Sequence, residues 1–248
     1  MFKTALKELG FAEVYETAIG ADMGCVAEAE HYVREVATGK QAFALTSCCP
    51  SWTMMAKNLF PETIDKISNE LTPMVATARV IKEKYPEASV VFIGPCASKK
   101  LEASRTTVRS DVDFVITFEE LTGMFEAKGI LVEEIKAMDE LNGATAAGRG
   151  YGVAGGVASA IESCIKEYYP GTAVHVEHAE SLAECKKMLL LAKAGKMNGC
   201  LIEGMACPGG CVAGAGTNIP IMKAAKELQT FKNTAEKKLP DKDIEEFH

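Results

Sequence analysis

Ser89-Val90-Val91-Phe92-Ile93-Gly94-Pro95-Cys96 is the stretch on which the fold turns. Four apolar residues follow a serine and stop at a Gly-Pro pair. A short apolar run bounded in this way reads as a buried strand over Ser89–Ile93. The glycine and proline end it and set the backbone for a tight turn. Cys96 therefore belongs to a loop at the strand's C-terminal end.

The pattern repeats outward from this point. Ala42–Leu45 reads as a short strand, followed by Thr46-Ser47-Cys48-Cys49-Pro50-Ser51-Trp52 and a helix from Pro50 to Asn58. Pro73–Lys84 reads as a helix, and Phe114–Thr117 as a strand running into a helix over Phe118–Lys128. Further on come a helix over Gly155–Tyr169, a strand over Thr172–Val176 and a helix over Leu182–Ala194. Gly199–Ile202 is a strand leading to Met205-Ala206-Cys207-Pro208-Gly209-Gly210-Cys211, and Pro220–Lys232 is a last helix. Alternating strands and helices predict an α/β fold, with two lobes of largely parallel twisted sheet flanked by helices. The expected division is residues 1–108, with the first and second cysteine loops, and 109–248, with the third loop, the last helix and the tail. Each cysteine loop follows the C-terminal end of a strand, where open α/β sheets bind ligands. A metal site is thus expected in the cleft between the lobes. The charged tail from Glu236 to His248 is expected to be mobile or peripheral.

Composition narrows the function. The 248 residues suffice for a substantial core. A net charge of −7 and no basic stripe argue against nucleic acid as a partner. No apolar run reaches the roughly 18 residues of a membrane span. Met1–Gly10 reads as an amphipathic helix with an acidic residue rather than a signal peptide. Nine cysteines without an export signal point to a reducing, cytoplasmic setting and to metal or redox use.

Cys49, Cys96, Cys207 and Cys211 are assigned as the four thiolates of one cubane iron–sulfur cluster, which leaves Cys48 beside it as a free thiol. Soft sulfur donors suit iron. Buried structural cysteines are the bland alternative, but they do not explain three loops framed by glycine and proline. Zinc is the stronger rival on cysteine count, although zinc sites usually show two short cysteine pairs and only one pair is close here.

The three loops, together with Gly20-Ala21-Asp22 and Asp111-Val112-Asp113-Phe114-Val115, resemble the catalytic domain of iron-only ([FeFe]) hydrogenases. The resemblance runs from Gly10-Phe11 to about Pro220. It implies reversible H₂ formation at a centre made of a [4Fe-4S] cubane joined to a diiron unit with CO, CN⁻ and a bridging dithiolate. On this resemblance Cys211 is the shared sulfur and Cys48 the proton-donating thiol. In eukaryotic relatives serving iron–sulfur assembly, the position of Cys48 resembles serine. Glu28 and Ser68 match members of the family's proton path, and His31 stands where the family has a second glutamate. Lys99 matches a lysine that donates to a cyanide, and Met205 a methionine near the bridging CO. Ser47 and Pro95 match the cofactor-binding loops.

Departures are also visible. Gly94 replaces a methionine, Met74 a glutamine, and Tyr151-Gly152-Val153-Ala154-Gly155-Gly156 a Phe-Gly-x-Thr-Gly-Gly stretch. These suggest a divergent subgroup. Family members have more chain before the segment matching Phe2–Phe11, often with ferredoxin-like cysteine runs that are not found here. A fragment, a split enzyme part or a minimal enzyme is therefore expected. The implied partners are a ferredoxin or iron–sulfur electron-transfer domain and the machinery that matures the diiron unit. The alternative is a non-catalytic relative, either an H₂ or redox sensor or an assembly factor. Cys25, Cys164, Cys185 and Cys200 match no family role; Cys164 and Cys185 read as core residues of helices.

Overall fold

Two parallel sheets organise the chain, which a computed structural model describes at residues 2–136, 139, 141 and 143–244. The first has the order β1 (Ala44–Leu45), β5 (Cys200–Met205), β4 (His175–Glu180). The second pairs β2 (Val91–Ile93) with β3 (Phe114–Ile116). Register sets Ala44 beside Leu201, Val176 beside Leu201, and Val91 beside Phe114. Each sheet takes strands from both sides of residue 108.

The helices are α1 (Phe2–Leu9), α2 (Ala18–His31), α3 (Pro50–Leu59), α4 (Pro73–Lys84) and α5 (Ser98–Ala103). They continue with α6 (Phe118–Lys128), α7 (Ala146–Arg149), α8 (Gly156–Tyr168), α9 (Leu182–Lys193) and α10 (Ile221–Lys232). Both faces of both sheets are covered. Leu201 and Met205 of β5 point toward Cys25 and Ala29 of α2 and Ile161 and Ile165 of α8. Ile202, one residue on, points to the opposite face, where Trp52 of α3 and Leu189 of α9 pack. This two-residue alternation with apolar residues on both sides is what a doubly covered strand requires. Gly204 completes it, since a Cβ there would meet the Trp52 ring at 2.1 Å. The smaller sheet is packed by Met74, Val75 and Ala78 of α4 on one side, and by Leu6 of α1 with Leu121 and Phe125 of α6 on the other.

Local chemistry explains the element ends. Pro50 and Pro73 each open a helix at a first-turn position, where a missing N–H costs nothing. Thr117 and Glu120 form a reciprocal capping box on α6, which closes on Gly129 at φ 68°.

Three expectations change. The strand expected over Ser89–Ile93 begins at Val91, and its residues are only half-buried. β2 pairs with β3 alone among the described residues, so its second edge is not covered by a strand. The strand expected at Thr172–Val176 lies at His175–Glu180, where pairing with Cys200–Met205 of β5 fixes it although only Ala179 is fully buried. The tail is partly fixed. The carbonyls of Lys237 and Lys238 accept from the amides of Ala146 and Ala147 at 2.9 and 3.0 Å, and Pro240 is buried and accepts from the Tyr168 hydroxyl. His248 lies outside the described residues.

Candidate metal centre and proton path

The three cysteine loops follow β1, β2 and β5 and meet between the sheets. In the first, Cys49 is the residue preceding α3. The Trp52 indole donates to the Thr46 carbonyl at 3.1 Å, and Ser47 Oγ donates to the Glu70 carbonyl at 2.9 Å. The second loop leaves β2 through Gly94, whose amide donates to the Ile116 carbonyl at 3.1 Å; Cys96 Sγ then lies 3.1 Å from Ser98 Oγ. In the third, Gly209 and Gly210 have φ of 90° and 91°, and Gly209 donates to Glu180 Oε2 at 2.6 Å. The third loop joins the second where the Gly216 amide donates to the Pro95 carbonyl at 2.9 Å.

Electrostatics report the convergence. Burial pushes the Cys211 thiol up to about 12, and nearby Cys49, Cys96 and Cys207 add to this against the opposing Lys99 cation. Cys207 is raised by burial and then by Cys49 and Cys96. The four expected ligands thus lie near enough to act on one another electrostatically, and thiolates formed there would repel. Among the described residues, no three cysteine, histidine or acidic side chains close on a single ion position. A multinuclear cationic core that neutralises several thiolates together fits this donor chemistry. Pro95 and Cys211 also border an apolar cavity of about 920 Å³, walled by Leu121, Phe125, Val212 and Leu228.

Cys48 lies beside this group. Burial holds its thiol well above the usual range, followed by the charges of Glu203, Cys49 and Cys211. Lys99 is buried, and its ammonium donates to the Cys48 carbonyl at 3.2 Å and to Glu102 Oε2 at 2.6 Å. Met205 is buried, and its carbonyl accepts from Cys185 Sγ at 3.5 Å.

Glu28 and Ser68 come together. Burial raises the Glu28 carboxyl to about 8, while the Ser68 hydroxyl opposes that shift by hydrogen bonding. Glu28 Oε2 is buried without a hydrogen-bond partner. His31 stands at the end of α2, half-exposed, with its pKa lowered first by burial and then by Arg34. The charge of Glu70 acts on both Glu28 and His31.

Sequence reasoning missed Glu203, Glu70 and Glu102. Glu203 is fully buried, accepting from the amides of Gly155 and Ala158 at 2.9 and 2.8 Å at the start of α8. Its signal was a carboxylate inside the apolar run Leu201-Ile202-Glu203-Gly204-Met205. Glu70 and Glu102 gave no signal beyond lying two residues from Ser68 and three from Lys99.

Known proteins resemble this chain. The family described as iron only hydrogenase large subunit, C-terminal domain, matches residues 1–215. Iron hydrogenase 1 of Clostridium pasteurianum is 29% identical over 257 residues, covering 86% of this chain and 44% of that protein. The cytosolic Fe-S cluster assembly factor NAR1 of Meyerozyma guilliermondii is 28% identical over 134 residues, covering 49% of this chain and 25% of that one. The solved structure of a variant of [FeFe]-hydrogenase HydA1 from Chlamydomonas reinhardtii superposes with a TM-score of 0.77 at 25% identity, covering 95% of this chain and 79% of that one. The chain thus spans less than half the length of the two sequence relatives. With a match over residues 1–215 and a superposition over 95% of its length, this chain belongs to the family formed by the C-terminal domain of the iron-only hydrogenase large subunit.

Proposed function

We propose that this chain is the catalytic domain of an iron-only hydrogenase, running 2H⁺ + 2e⁻ ⇌ H₂. The observation that carries the reading is a fifth thiol, Cys48, half-buried and packed against the same apolar cluster as Cys211 without being one of the expected ligands. Cys49, Cys96, Cys207 and Cys211 would hold a [4Fe-4S] cluster, with Cys211 shared with a diiron unit carrying CO, CN⁻ and a bridging dithiolate. When bound, that group supplies the redox chemistry; the chain supplies ligands, shape and protons.

The electrostatics support these proton roles. Cys48 stays a neutral thiol, held so by desolvation and by the charges of Glu203, Cys49 and Cys211, and that is the form that can donate. Glu28, at about 8, holds a proton near neutral pH and can pass it on. Ser68 supplies a hydroxyl beside it. His31, with its lowered pKa, is neutral near pH 7 and free to accept a proton from solvent. Lys99, fastened by Glu102, offers a cation to an anionic ligand near Cys48. Met205, Ser47 and Pro95 shape the surrounding wall. Electrons require a ferredoxin-type donor or an iron–sulfur domain, and loading requires diiron maturation machinery. Cysteine use favours the cytoplasm.

A second reading, a non-catalytic iron–sulfur protein of the same family, draws on the NAR1 similarity and on a Lys99 ammonium already satisfied by Glu102 and Cys48. Infrared spectroscopy separates the two after expression with diiron maturation proteins. CO and CN⁻ stretches together with H₂ evolution from a reduced viologen support the enzyme. An iron–sulfur chromophore with neither band nor turnover supports the assembly-type reading.

A further inference from the structure

α2 and α8 pack along the same face of the three-stranded sheet and bring together two cysteines that the metal centre does not use. Cys25 of α2 and Cys164 of α8 are both fully buried, 139 positions apart in sequence, with their Sγ atoms 3.1 Å apart. That is only about 1 Å longer than the covalent S–S bond of about 2.05 Å. Neither residue lies on a cysteine loop. Their neighbours are apolar, Ala29, Val157 and Ile161 among them, apart from Tyr151. The Tyr151 hydroxyl is buried without a hydrogen-bond partner and close enough to act electrostatically on both thiols. The hydrogen bond from Cys164, and then burial, hold the Cys25 thiol well above its usual range, while Tyr151 favours its ionised form.

We propose that Cys25 and Cys164 form a redox-active dithiol that closes to a disulfide between α2 and α8 when a peroxide enters the fold. The Cys25 sulfur attacks one oxygen of hydrogen peroxide, the O–O bond breaks, and a sulfenic acid and one water result. The Cys164 sulfur then attacks the Cys25 sulfur, the S–O bond breaks, and a second water leaves. Two thiols and one peroxide thus give one disulfide and two waters. The sulfurs lose two electrons and the peroxide gains them.

The geometry selects the oxidant. Both thiols are out of solvent and Cys25 is held protonated, which slows every oxidant, and a bulky disulfide such as oxidised glutathione far more than a small peroxide. Peroxide is close to water in size, and the buried Tyr151 hydroxyl beside Cys25 is placed to turn a hydrogen bond toward it. The resolving thiol is already in place, so the sulfenic acid is captured before further oxidation. The link ties the helix carrying Glu28 to the helix whose first amides hold Glu203.

Peptide mapping of the folded full-length chain tests this. The protein is treated with hydrogen peroxide, blocked with N-ethylmaleimide in denaturant, and cut with trypsin. Cys25 falls in the peptide of residues 8–34 and Cys164 in that of residues 150–166, each with a single cysteine. The expected product is these two peptides joined, two hydrogen masses below their sum and separated again by reductant. Oxidised glutathione should give far less of it. Cys25→Ala and Cys164→Ala should each abolish it. The oxidised wild type should unfold several degrees above the reduced form, a shift both variants lack. The proposal fails if the joined peptide is absent at peroxide doses that oxidise the part-exposed Cys200. It fails equally if the link forms only when the chain is unfolded first. Either readout is independent of hydrogenase activity.

Discussion

Glu102 Oε2 lies 2.6 Å from the Lys99 ammonium, and the two side chains are 3% and 10% exposed. Thr72 Oγ1 donates to the other carboxylate oxygen at 2.8 Å, so Glu102 is satisfied on both sides. The same ammonium reaches the Cys48 carbonyl, which makes this pair the brace between the first and second cysteine loops. Glu102→Ala would strand a desolvated cation. Breaking one side of a buried pair costs about 3 kcal/mol or more, and that loss is expected in urea unfolding. Glu102→Gln, which keeps a partner for Thr72, should cost less. An alanine variant within about 0.5 kcal/mol of the parent would show that the pair contributes nothing.

Gly210 has φ 91° and ψ −161°, a region open to glycine almost alone. A Cβ there would also meet Ala154 N at 2.5 Å and Val153 C at 2.6 Å. Gly210→Ala is therefore expected to displace the loop between Cys207 and Cys211. Reconstituted protein should bind less iron per chain, and stability should fall by about 1–3 kcal/mol from the backbone conformation alone. Normal iron content in this variant would mean that the loop is not shaped around its ligands.

Much of this is legible in the sequence because local chemistry decides it. Pro73 and Thr117 mark the starts of α4 and α6, and the strand-end position of each cysteine loop follows from short apolar runs. What stays hidden depends on distant partners. That β1 pairs with β5 is not written near Ala44, since Leu201 lies far along the chain. Glu203 looks misplaced in an apolar strand until the amides of Gly155 and Ala158 are seen to receive it. β4 lies later than its apolar pattern suggests, because Ala173-Val174 is the most apolar part of that stretch whereas the paired residues begin at His175. Cys25 and Cys164 carry no signal of their contact, as packing between two helices does not fix which cysteines meet.

Cys48→Ala separates proton delivery from metal binding. The thiol adjoins the four-cysteine group but is not assigned to it, so iron content should remain at the parent level. H₂ turnover should fall by about 10²–10⁴-fold, the usual cost of losing a positioned acid. Loss of iron would instead make Cys48 a ligand.

Glu28 makes stability depend on pH in a predictable direction. Its carboxyl is raised from 4.5 to about 8 by burial, so between these values the folded chain binds more protons than the unfolded one. The contribution is therefore full below pH 4.5 and is lost as pH rises toward 8. Glu28→Gln is neutral throughout. Relative to that variant, the wild type should lose up to about 1.4 kcal/mol per pH unit across this window in chemical unfolding. Parallel stability curves for the two proteins would place the Glu28 carboxyl near its ordinary value.

His31 moves the other way. The family resemblance puts a histidine where a glutamate is expected, and the ordinary histidine value of about 6.5 suits a relay near neutral pH. Burial is the first cause lowering it and Arg34 the second, while Glu35 and Glu70 pull back weakly. The folded chain therefore binds fewer protons at His31 than the unfolded one. Its contribution to stability is present above pH 6.5 and is lost as pH falls through the lowered folded value. An NMR titration of the imidazole should give a midpoint below 6.5, and His31→Ala should remove that signal. If His31 takes protons from solvent for Glu28, the acid limb of H₂ evolution should follow the same midpoint. His31→Ala should then flatten the limb, and His31→Glu should restore turnover with the limb moved toward the carboxylate range. Superimposable pH–rate profiles for the parent and both variants would remove His31 from the path, and Glu28 would then need another exit to solvent.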